Sequence, residues 1–361
     1  MKMIIGADVV PTAQSEELFI KGDLQALFTD VLGVLEQADR TVINLECALT
    51  TAEGRIKKFG PCLKANPKCA DTLKALGVTD VMLANNHVFD FGIQGLKDTM
   101  ANLERVGLPY TGVGANDTDS RKPYIIEQDG KKIGFINVCE HEYSYALPDR
   151  MGANAFDPFL TMQDIRALKK DVDFVIALYH GGKEMCSYPS PRLRNLCHEM
   201  VLCGADVVIT QHSHCIGCYE EFEGKHIVYG QGNFHFCWDN MKENWYASLL
   251  VELTIEQDVQ VKFIPLVSGQ DSIWLAKGEK YDEIMDAFAA RNTELKNGKW
   301  KDGWHAFCES AQNSYKAVLQ GLCTDETPES KTERFAHYLD CEAHTDVWRE
   351  LFPTWNSTNE K

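Results

Sequence analysis

Four short polar clusters, each placed directly after an apolar run of strand length, constrain this chain more than any other feature. The clusters are Asn44-Leu45-Glu46 and the segments 85–90, 180–184 and 211–214. In open α/β sheets, ligands bind outside the carboxyl ends of the strands, so these clusters predict a single crevice lined by imidazole, carboxylate and carboxamide groups. Such a mixture of nitrogen and oxygen ligands predicts a divalent metal site.

The composition predicts an ordinary folded protein. The 361 residues are 44% hydrophobic and 25% charged, enough for one large domain or a domain with an appendage. The formal net charge of −17 argues against binding to nucleic acid or to an anionic membrane surface. No apolar run approaches the roughly 18 residues needed to span a bilayer, so no membrane span is predicted.

The cysteines indicate a reducing compartment. They number thirteen, an odd count, their spacing is irregular, and several lie within apolar runs. Free thiols fit this pattern better than a disulfide framework does. Because residues 3–8 already resemble a core strand and not a leader peptide, we expect a cytoplasmic protein.

From residue 1 to about 270, short apolar runs alternate with segments of helical period, which predicts a layered α/β domain. The predicted strands are residues 3–7, 41–45, 80–83, 174–179, 207–210 and 227–229, and the predicted helices are 25–37, 67–76, 94–106 and 191–202. Asp129-Gly130 lies between two alternating segments and predicts a hairpin, and residues 247–265 alternate as well. We therefore expect antiparallel strands beside the parallel ones.

From about residue 271 the sequence becomes richer in charged residues and helical in pattern. This change predicts two units, a main domain over 1–270 and a helical extension over 271–361. Candidate helices in the extension are residues 281–297, 304–322 and 331–339. The tryptophans at 300, 304 and 348 are expected to dock it onto the main domain, and the residues after Trp355 are expected to fray.

Two histidines, His212 and His214, follow one predicted strand and His180 ends another. On an extended segment, residues two apart project to the same side, where two imidazoles suit a metal. The alternative is a pair of partly exposed histidines without a ligand. The third imidazole at a neighbouring strand end favours the metal site.

Oxygen ligands are predicted at three further strand ends. The carboxamide of Asn86 can bind a cation while the adjacent His87 faces a substrate, although Asn86 could instead cap the next helix. Asp8 and Glu46 could bridge two cations or act as helix caps. Glu184 lies four residues after His180. It could orient a ligand imidazole by a hydrogen bond without binding the metal itself.

Read in order, these clusters, together with Gly204-Ala205-Asp206 and the segment 229–234, resemble the bacterial capsule synthesis CapA family. This family, also called the poly-gamma-glutamate biosynthesis proteins, is a branch of the calcineurin-like metallophosphoesterase superfamily. The resemblance covers residues 4–267. It implies a metallophosphoesterase-like sandwich of two mixed β-sheets flanked by helices, with metals held at strand ends.

The resemblance also implies roles for individual residues. It implies one or two ions of Mn, Fe or Zn, held by Asp8, Glu46, Asn86, His180, His212 and His214, with Glu46 bridging. His87 would be the general acid, oriented by Asp90. Asn233 and Glu184 would help shape the pocket. Apart from the resemblance, Asn44 is a candidate substrate-binding residue, and Arg192 could supply local positive charge for a polyanionic substrate. The chain departs from the superfamily pattern at Val10, where a histidine is usual, and at Glu46, where aspartate is usual.

Three functions follow from this interpretation. The leading hypothesis is a metal-dependent hydrolase acting on a phosphoester or a related small anionic substrate. The second is a capsule or poly-gamma-glutamate biosynthesis protein whose pocket handles a glutamyl polymer. The third, motivated by Val10, is a metal-binding module without catalytic activity.

Overall fold

Most of the described strands form two facing sheets, and four short strands form two separate two-stranded sheets. The structure is a computed structural model that describes residues 1–322 and 329–353, so the fraying expected after Trp355 lies outside the described residues. The strands are β1 (Lys2–Val9), β2 (Arg40–Leu45), β3 (Ala48–Leu49), β4 (Lys64–Ala65), β5 (Asp80–Met82), β6 (Tyr110–Thr111), β7 (Val113–Gly114), β8 (Tyr124–Gln128), β9 (Lys131–Cys139), β10 (Gly152–Ala153), β11 (Phe174–His180), β12 (Val207–Gln211), β13 (Ile216–Phe222), β14 (Lys225–Gln231), β15 (Asn233–His235), β16 (Ala247–Ile255), β17 (Val259–Ser268) and β18 (Ile273–Leu275).

Helices cover the outer faces of the two sheets. They are α1 (Glu16–Lys21), α2 (Leu24–Phe28), α3 (Leu32–Leu35), α4 (Cys69–Ala75), α5 (Gly92–Arg105), α6 (Asp117–Ser120), α7 (Leu160–Leu168), α8 (Pro191–Leu202), α9 (Glu279–Asn297), α10 (Trp300–Gly321), α11 (Glu329–Asp340) and α12 (Glu342–Leu351). None of these described helices is long and apolar enough to cross a membrane. Helix α8 has the predicted bounds, whereas α7 and α12 were not predicted.

The single helix predicted over 25–37 is wrong. The segment contains α2, a short 3-10 turn and α3. The break falls at Thr29, whose φ of 41° lies in the left-handed region. Its hydroxyl donates to the carbonyl of Ile273 at 2.7 Å, so a tertiary contact holds the residue outside helical geometry.

The first sheet has the order β18-β17-β16-β1-β2-β5-β6, and β15 also pairs with β1. Strands β1, β2, β5 and β6 run parallel, and β16 pairs antiparallel with both β1 and β17. The antiparallel pairing predicted from the alternation over 247–265 is therefore confirmed. Strand β18 extends this sheet past residue 270, and the division of the chain at that residue stays a prediction.

The second sheet has the order β13-β14-β12-β11-β9-β8. Its four central strands are parallel, and the two edge strands are antiparallel to their neighbours. Strands β8 and β9 form the predicted hairpin, and Asp129 and Gly130 both have positive φ, 53° and 72°. Two such residues are what a type I′ turn requires.

The two sheets form the expected sandwich and enclose an apolar core. Ile5 and Val42 of the first sheet pack with Ile176, Leu178 and Ile209 of the second. This arrangement confirms the predicted fold class, an α/β sandwich of two mixed sheets flanked by helices.

Helices α9–α12, called the extension below, lie beside the second sheet. A hydrophobic cluster on the outer face of the second sheet includes the buried Trp300 and Trp304 and the partly buried Trp348. These three tryptophans pack the extension against the main domain, as predicted. The described cysteines, twelve in number, are free thiols.

The carboxyl ends of the parallel strands of both sheets meet at one edge. Within the sheets, Asp8 pairs with Asn44, and His180 pairs with Gln211. Between the sheets, Gln211 Nε2 donates to the carbonyl of Gly6 at 3.2 Å. The polar clusters that follow these strands are therefore brought together, as the sequence predicts.

Candidate metal centre

Asp8 is positioned at the end of β1 by groups from both sheets. Asn44 Nδ2 donates to Asp8 Oδ1 at 2.7 Å, and the backbone N–H of His212 donates to Oδ2 at 3.3 Å. Burial and the neighbouring charge of Glu46 raise the pKa of Asp8. Asp8 does not cap a helix, because the residue preceding α1 is Ser15.

Glu46 follows β2 and lies completely buried between the candidate ligands. Its Oε1 is 3.3 Å from His180 Nε2 and 3.9 Å from His212 Nδ1, yet among the described residues neither carboxylate oxygen has a hydrogen-bond partner. Burial opposes ionisation, but the charges of His214 and His180 hold the pKa of Glu46 well below its usual value. An ionised, buried carboxylate without hydrogen bonds is destabilising unless a cation compensates it.

The two asparagines after β5 have separate roles. Asn85 Oδ1 accepts the backbone N–H groups of His87 and Val88 at 3.1 and 2.9 Å, and so forms the turn. Asn86 Oδ1 instead lies 3.0 Å from His180 Nε2. Helix α5 begins without a side-chain cap, so the capping alternative for Asn86 is wrong.

His212 and His214 do lie on one side, but not through extended backbone. Both follow the end of β12 and have positive φ, 87° and 53°, and their ring centroids are 5.7 Å apart. Left-handed backbone is strained for histidine, and such strain concentrates at functional sites. Burial lowers the pKa of His212, but contact with Glu46 and the charge of Glu142 outweigh burial and raise it to about 10.

These side chains form two groups that could each hold a metal ion. Asp8, Glu46 and His180 form one group, and Glu46, His212 and His214 form the other; within each group the ligand atoms lie within 4.8 Å of one another. The shared, unpartnered Glu46 and the mixed nitrogen and oxygen donors fit a divalent cation. Val10 is buried among apolar residues, so its position supplies no ligand.

Three ionisable side chains lie together beside these ligands. His87 Nδ1 is 2.6 Å from Asp90 Oδ2, and Lys58 Nζ donates to Asp90 Oδ1 at 2.7 Å. Burial raises the pKa of Asp90, but the charges of His87 and Lys58 outweigh burial and lower it. No sequence pattern pointed to Lys58, which lies on the irregular loop after β3 and is only 3% exposed.

The residues predicted to contact substrate lie in different surroundings. The side-chain nitrogen of Asn44 donates a hydrogen bond to Asp8, and Asn233 Oδ1 is 2.9 Å from His214 Nδ1. The Arg192 guanidinium is paired with two carboxylates, and Glu184 is 47% exposed with Lys183 at 4.0 Å. Their roles in substrate binding stay predictions.

Two neighbours of the centre were missed in the sequence. The ring of Trp245 lies 4.6 Å from that of His214, and Glu142 Oε2 lies 3.6 Å from His212 Nε2. Glu142 belongs to the polar run Glu140-His141-Glu142 directly after β9, so the pattern that revealed the other clusters would have found it.

A family model described as bacterial capsule synthesis protein PGA_cap matches residues 3–237. The chain belongs to this family. The PGA_cap match contains all the candidate ligands and ends before β16, so the last strands and the extension lie beyond it.

Curated relatives carry related names. The PGA biosynthesis protein CapA of Bacillus subtilis strain 168 is 32% identical over 178 residues, covering 48% of this chain and 47% of that protein. A probable polyglutamine synthesis accessory protein of Mycobacterium tuberculosis is 28% identical over 221 residues, covering 56% of this chain and 58% of that protein. The chain thus spans about half the length of these relatives.

Solved structures with a partial likeness include two described as 5'-nucleotidases. The putative enzyme from Staphylococcus aureus, in complex with alpha-ketoglutarate, matches with a TM-score of 0.46 and 16% identity over 79% of this chain and 57% of that one. The precursor from Thermus thermophilus matches with a TM-score of 0.44 and 14% identity over 89% of this chain and 60% of that one.

Proposed function

We propose that this protein is a metal-dependent hydrolase that acts on a phosphoester or a related small anionic substrate. The observation that carries the proposal is the fully buried Glu46, whose two oxygens have no hydrogen-bond partner among the described residues while three imidazoles lie within 4.0 Å. A cation between these groups resolves an arrangement that is otherwise unfavourable.

The ligands for one or two ions of Mn, Fe or Zn would be Asp8, Glu46, Asn86, His180, His212 and His214. Bound divalent cations of this kind polarise a substrate oxygen and supply hydroxide near neutral pH. The remaining chemistry belongs to the chain. His87 would protonate the departing oxygen, and Asp90, 2.6 Å from its Nδ1, would fix the ring. The charges of His87 and Lys58 lower the pKa of Asp90 and so favour the ionised carboxylate that this role requires.

The role of His87 is tested by the variant H87A. We expect turnover of an alkyl phosphate such as β-glycerophosphate with Mn²⁺ to fall by about 100- to 10,000-fold, because its strongly basic alkoxide leaving group loses its proton donor. Metal content, measured by elemental analysis, should stay at the wild-type level. The control is H305A, which removes an exposed histidine from α10. Loss of metal in H87A would reassign the residue as a ligand.

The family favours a second candidate function, because relatives are named for PGA or polyglutamine synthesis. The same pocket would then handle a glutamyl chain. Deleting the gene and restoring either the wild type or E46Q tests this candidate. Surface polymer that returns with the wild type alone supports it, and polymer unchanged by the deletion contradicts it.

The third candidate, a metal-binding module without activity, rests on the missing ligand at Val10. Turnover that a chelator abolishes and Mn²⁺ restores would overturn it.

We also propose a cytoplasmic location, which the free thiols of the described cysteines support.

A further inference from the structure

The loop formed by residues 140–145 follows β9 and runs against the extension. The backbone N–H of Ala343 donates to Glu140 Oε2 at 3.1 Å. The backbone N–H of His141 donates to Glu342 Oε2 at 2.8 Å, and its Nδ1 lies 2.7 Å from the other oxygen of that carboxylate. Helix α12 therefore fixes the start of the loop.

Glu142, the next residue of this loop, lies between a candidate metal ligand and the extension. Its Oε2 is 3.6 Å from His212 Nε2, and its Oε1 is 3.3 Å from Nε2 of His337 on α11. Both imidazoles are buried. The ring of Tyr143 stacks on that of His337 with a centroid distance of 5.3 Å and an interplanar angle of 17°. One oxygen of this carboxylate thus lies near His212 and the other lies near α11.

The two nitrogens of His212 face different groups. Nδ1 points toward Glu46 at 3.9 Å and has no hydrogen-bond partner among the described residues, whereas Nε2 faces Glu142. A metal-binding histidine commonly donates its second N–H to a carboxylate, which fixes the ring and its tautomer. The Glu142 carboxylate lies beside Nε2 of His212, which is the position that such a carboxylate occupies.

We propose that Glu142 orients the metal ligand His212, and that His337 holds Glu142 in position. This inference rests on the proposed metal centre and deepens it. His337 lies far beyond residue 237, where the family match ends. The extension therefore takes part in the centre through His337, which positions Glu142, and neither residue binds the metal itself.

The experiment measures Mn²⁺ affinity of the metal-depleted full-length protein by isothermal titration calorimetry. We expect H337A and E142Q to bind Mn²⁺ about 10- to 100-fold more weakly than the wild type. H337Q should restore much of the affinity, because its amide nitrogen can take the place of His337 Nε2 beside the Glu142 carboxylate. H305A, on the same extension but exposed, should bind like the wild type.

Circular dichroism verifies that each variant is folded, and E142Q, which preserves side-chain volume, carries the test if H337A does not fold. Wild-type affinity in E142Q and folded H337A overturns the inference and leaves the metal centre intact. H337Q as weak as H337A also overturns it, because packing alone would then explain the effect. A wild type that binds no Mn²⁺ overturns the metal centre itself, and this inference with it.

Discussion

The candidate ligand side chains are held in place by hydrogen bonds with neighbouring groups. Asn44 and the backbone of His212 fix Asp8, while Asn85 forms the turn that releases Asn86 toward His180. Such preorganisation reduces the ordering that ligand binding would otherwise require. Glu46 is the exception, since nothing in the described chain donates to it.

The variant E46Q tests the shared ligand. Mn²⁺ that binds only the folded state stabilises it by about 2.7 kcal/mol at a hundredfold excess over the Kd, so the Tm of the wild type should rise on adding Mn²⁺. In E46Q the Tm shift should disappear, because both ligand groups lose their common carboxylate. Differential scanning fluorimetry measures the effect.

The matched control for this experiment is E252Q. Glu252 is a largely buried glutamate of the same sheet and pairs with Lys2 at 3.5 Å, away from the ligands. It should keep the wild-type response to Mn²⁺. An equal Tm shift in E46Q and the wild type would contradict the bridging role of Glu46.

At the scale of elements, the two sheets are joined near the site by a close approach at Gly112, between β6 and β7. Gly112 has φ of 88°, and a Cβ there would lie 2.1 Å from Asn137 Oδ1 and 2.7 Å from the backbone nitrogen of Ala84. Asn137 Oδ1 itself accepts the N–H of Ala84 at 2.9 Å. This bond links the second sheet to the segment that leads into Asn86.

The variant G112A should lower the free energy of unfolding by about 3 kcal/mol, because left-handed strain adds to overpacking. G130A is the control. Gly130 also has positive φ, 72°, but open space surrounds its Cβ position, so only the strain of about 1 kcal/mol should appear. Urea unfolding measures both variants, and equal losses would contradict the close approach at Gly112.

At the scale of the whole molecule, a buried charge network ties the extension to the main domain. Arg192 of α8 contacts Glu140 at 2.6 Å and Asp346 of α12 at 2.9 Å. Glu140 also accepts from Tyr179 and from the backbone of Ala343, and its pKa is lowered, because Arg192 outweighs the effect of burial. Asp346 accepts hydrogen bonds from fewer groups than Glu140 does, and burial raises its pKa to about 6.

This shift predicts a pH dependence of folding. Because the pKa of Asp346 is raised from 3.8 to about 6 on folding, the folded state binds the proton more tightly. The stabilisation that comes from proton binding at Asp346 is present in full below about pH 4 and is lost as pH rises through about 6. The difference in unfolding free energy between wild type and D346N should therefore decrease with rising pH, by about 1.4 kcal/mol per pH unit within this window.

Urea unfolding of both proteins between about pH 4 and 6, at intervals of about half a unit, measures this difference. D302N is the control for removing a carboxylate from an exposed position of the extension. Its difference from the wild type should change little over the same range. A difference for D346N that stays flat or increases with pH would contradict the raised pKa.

The residue patterns by themselves predicted a layered α/β domain and the elements with strong local signals, whereas the sandwich of two mixed sheets was implied by the family resemblance. The apolar runs located the central strands, Asp129-Gly130 located the hairpin, and helical periodicity located α8 to the residue. The order of polar clusters after those strands also predicted which side chains meet, because the carboxyl ends of parallel strands share one edge. These features depend on short-range patterns.

Only the tertiary structure decided features that depend on distant segments. The break at Thr29 depends on a carbonyl 244 residues away, and the place of Lys58 beside Asp90 depends on an irregular loop. The left-handed backbone at His212 and the approach of His337 to Glu142 likewise have no local signal. Periodicity and spacing record short-range preferences, whereas these contacts form only when the sheets and the extension pack together.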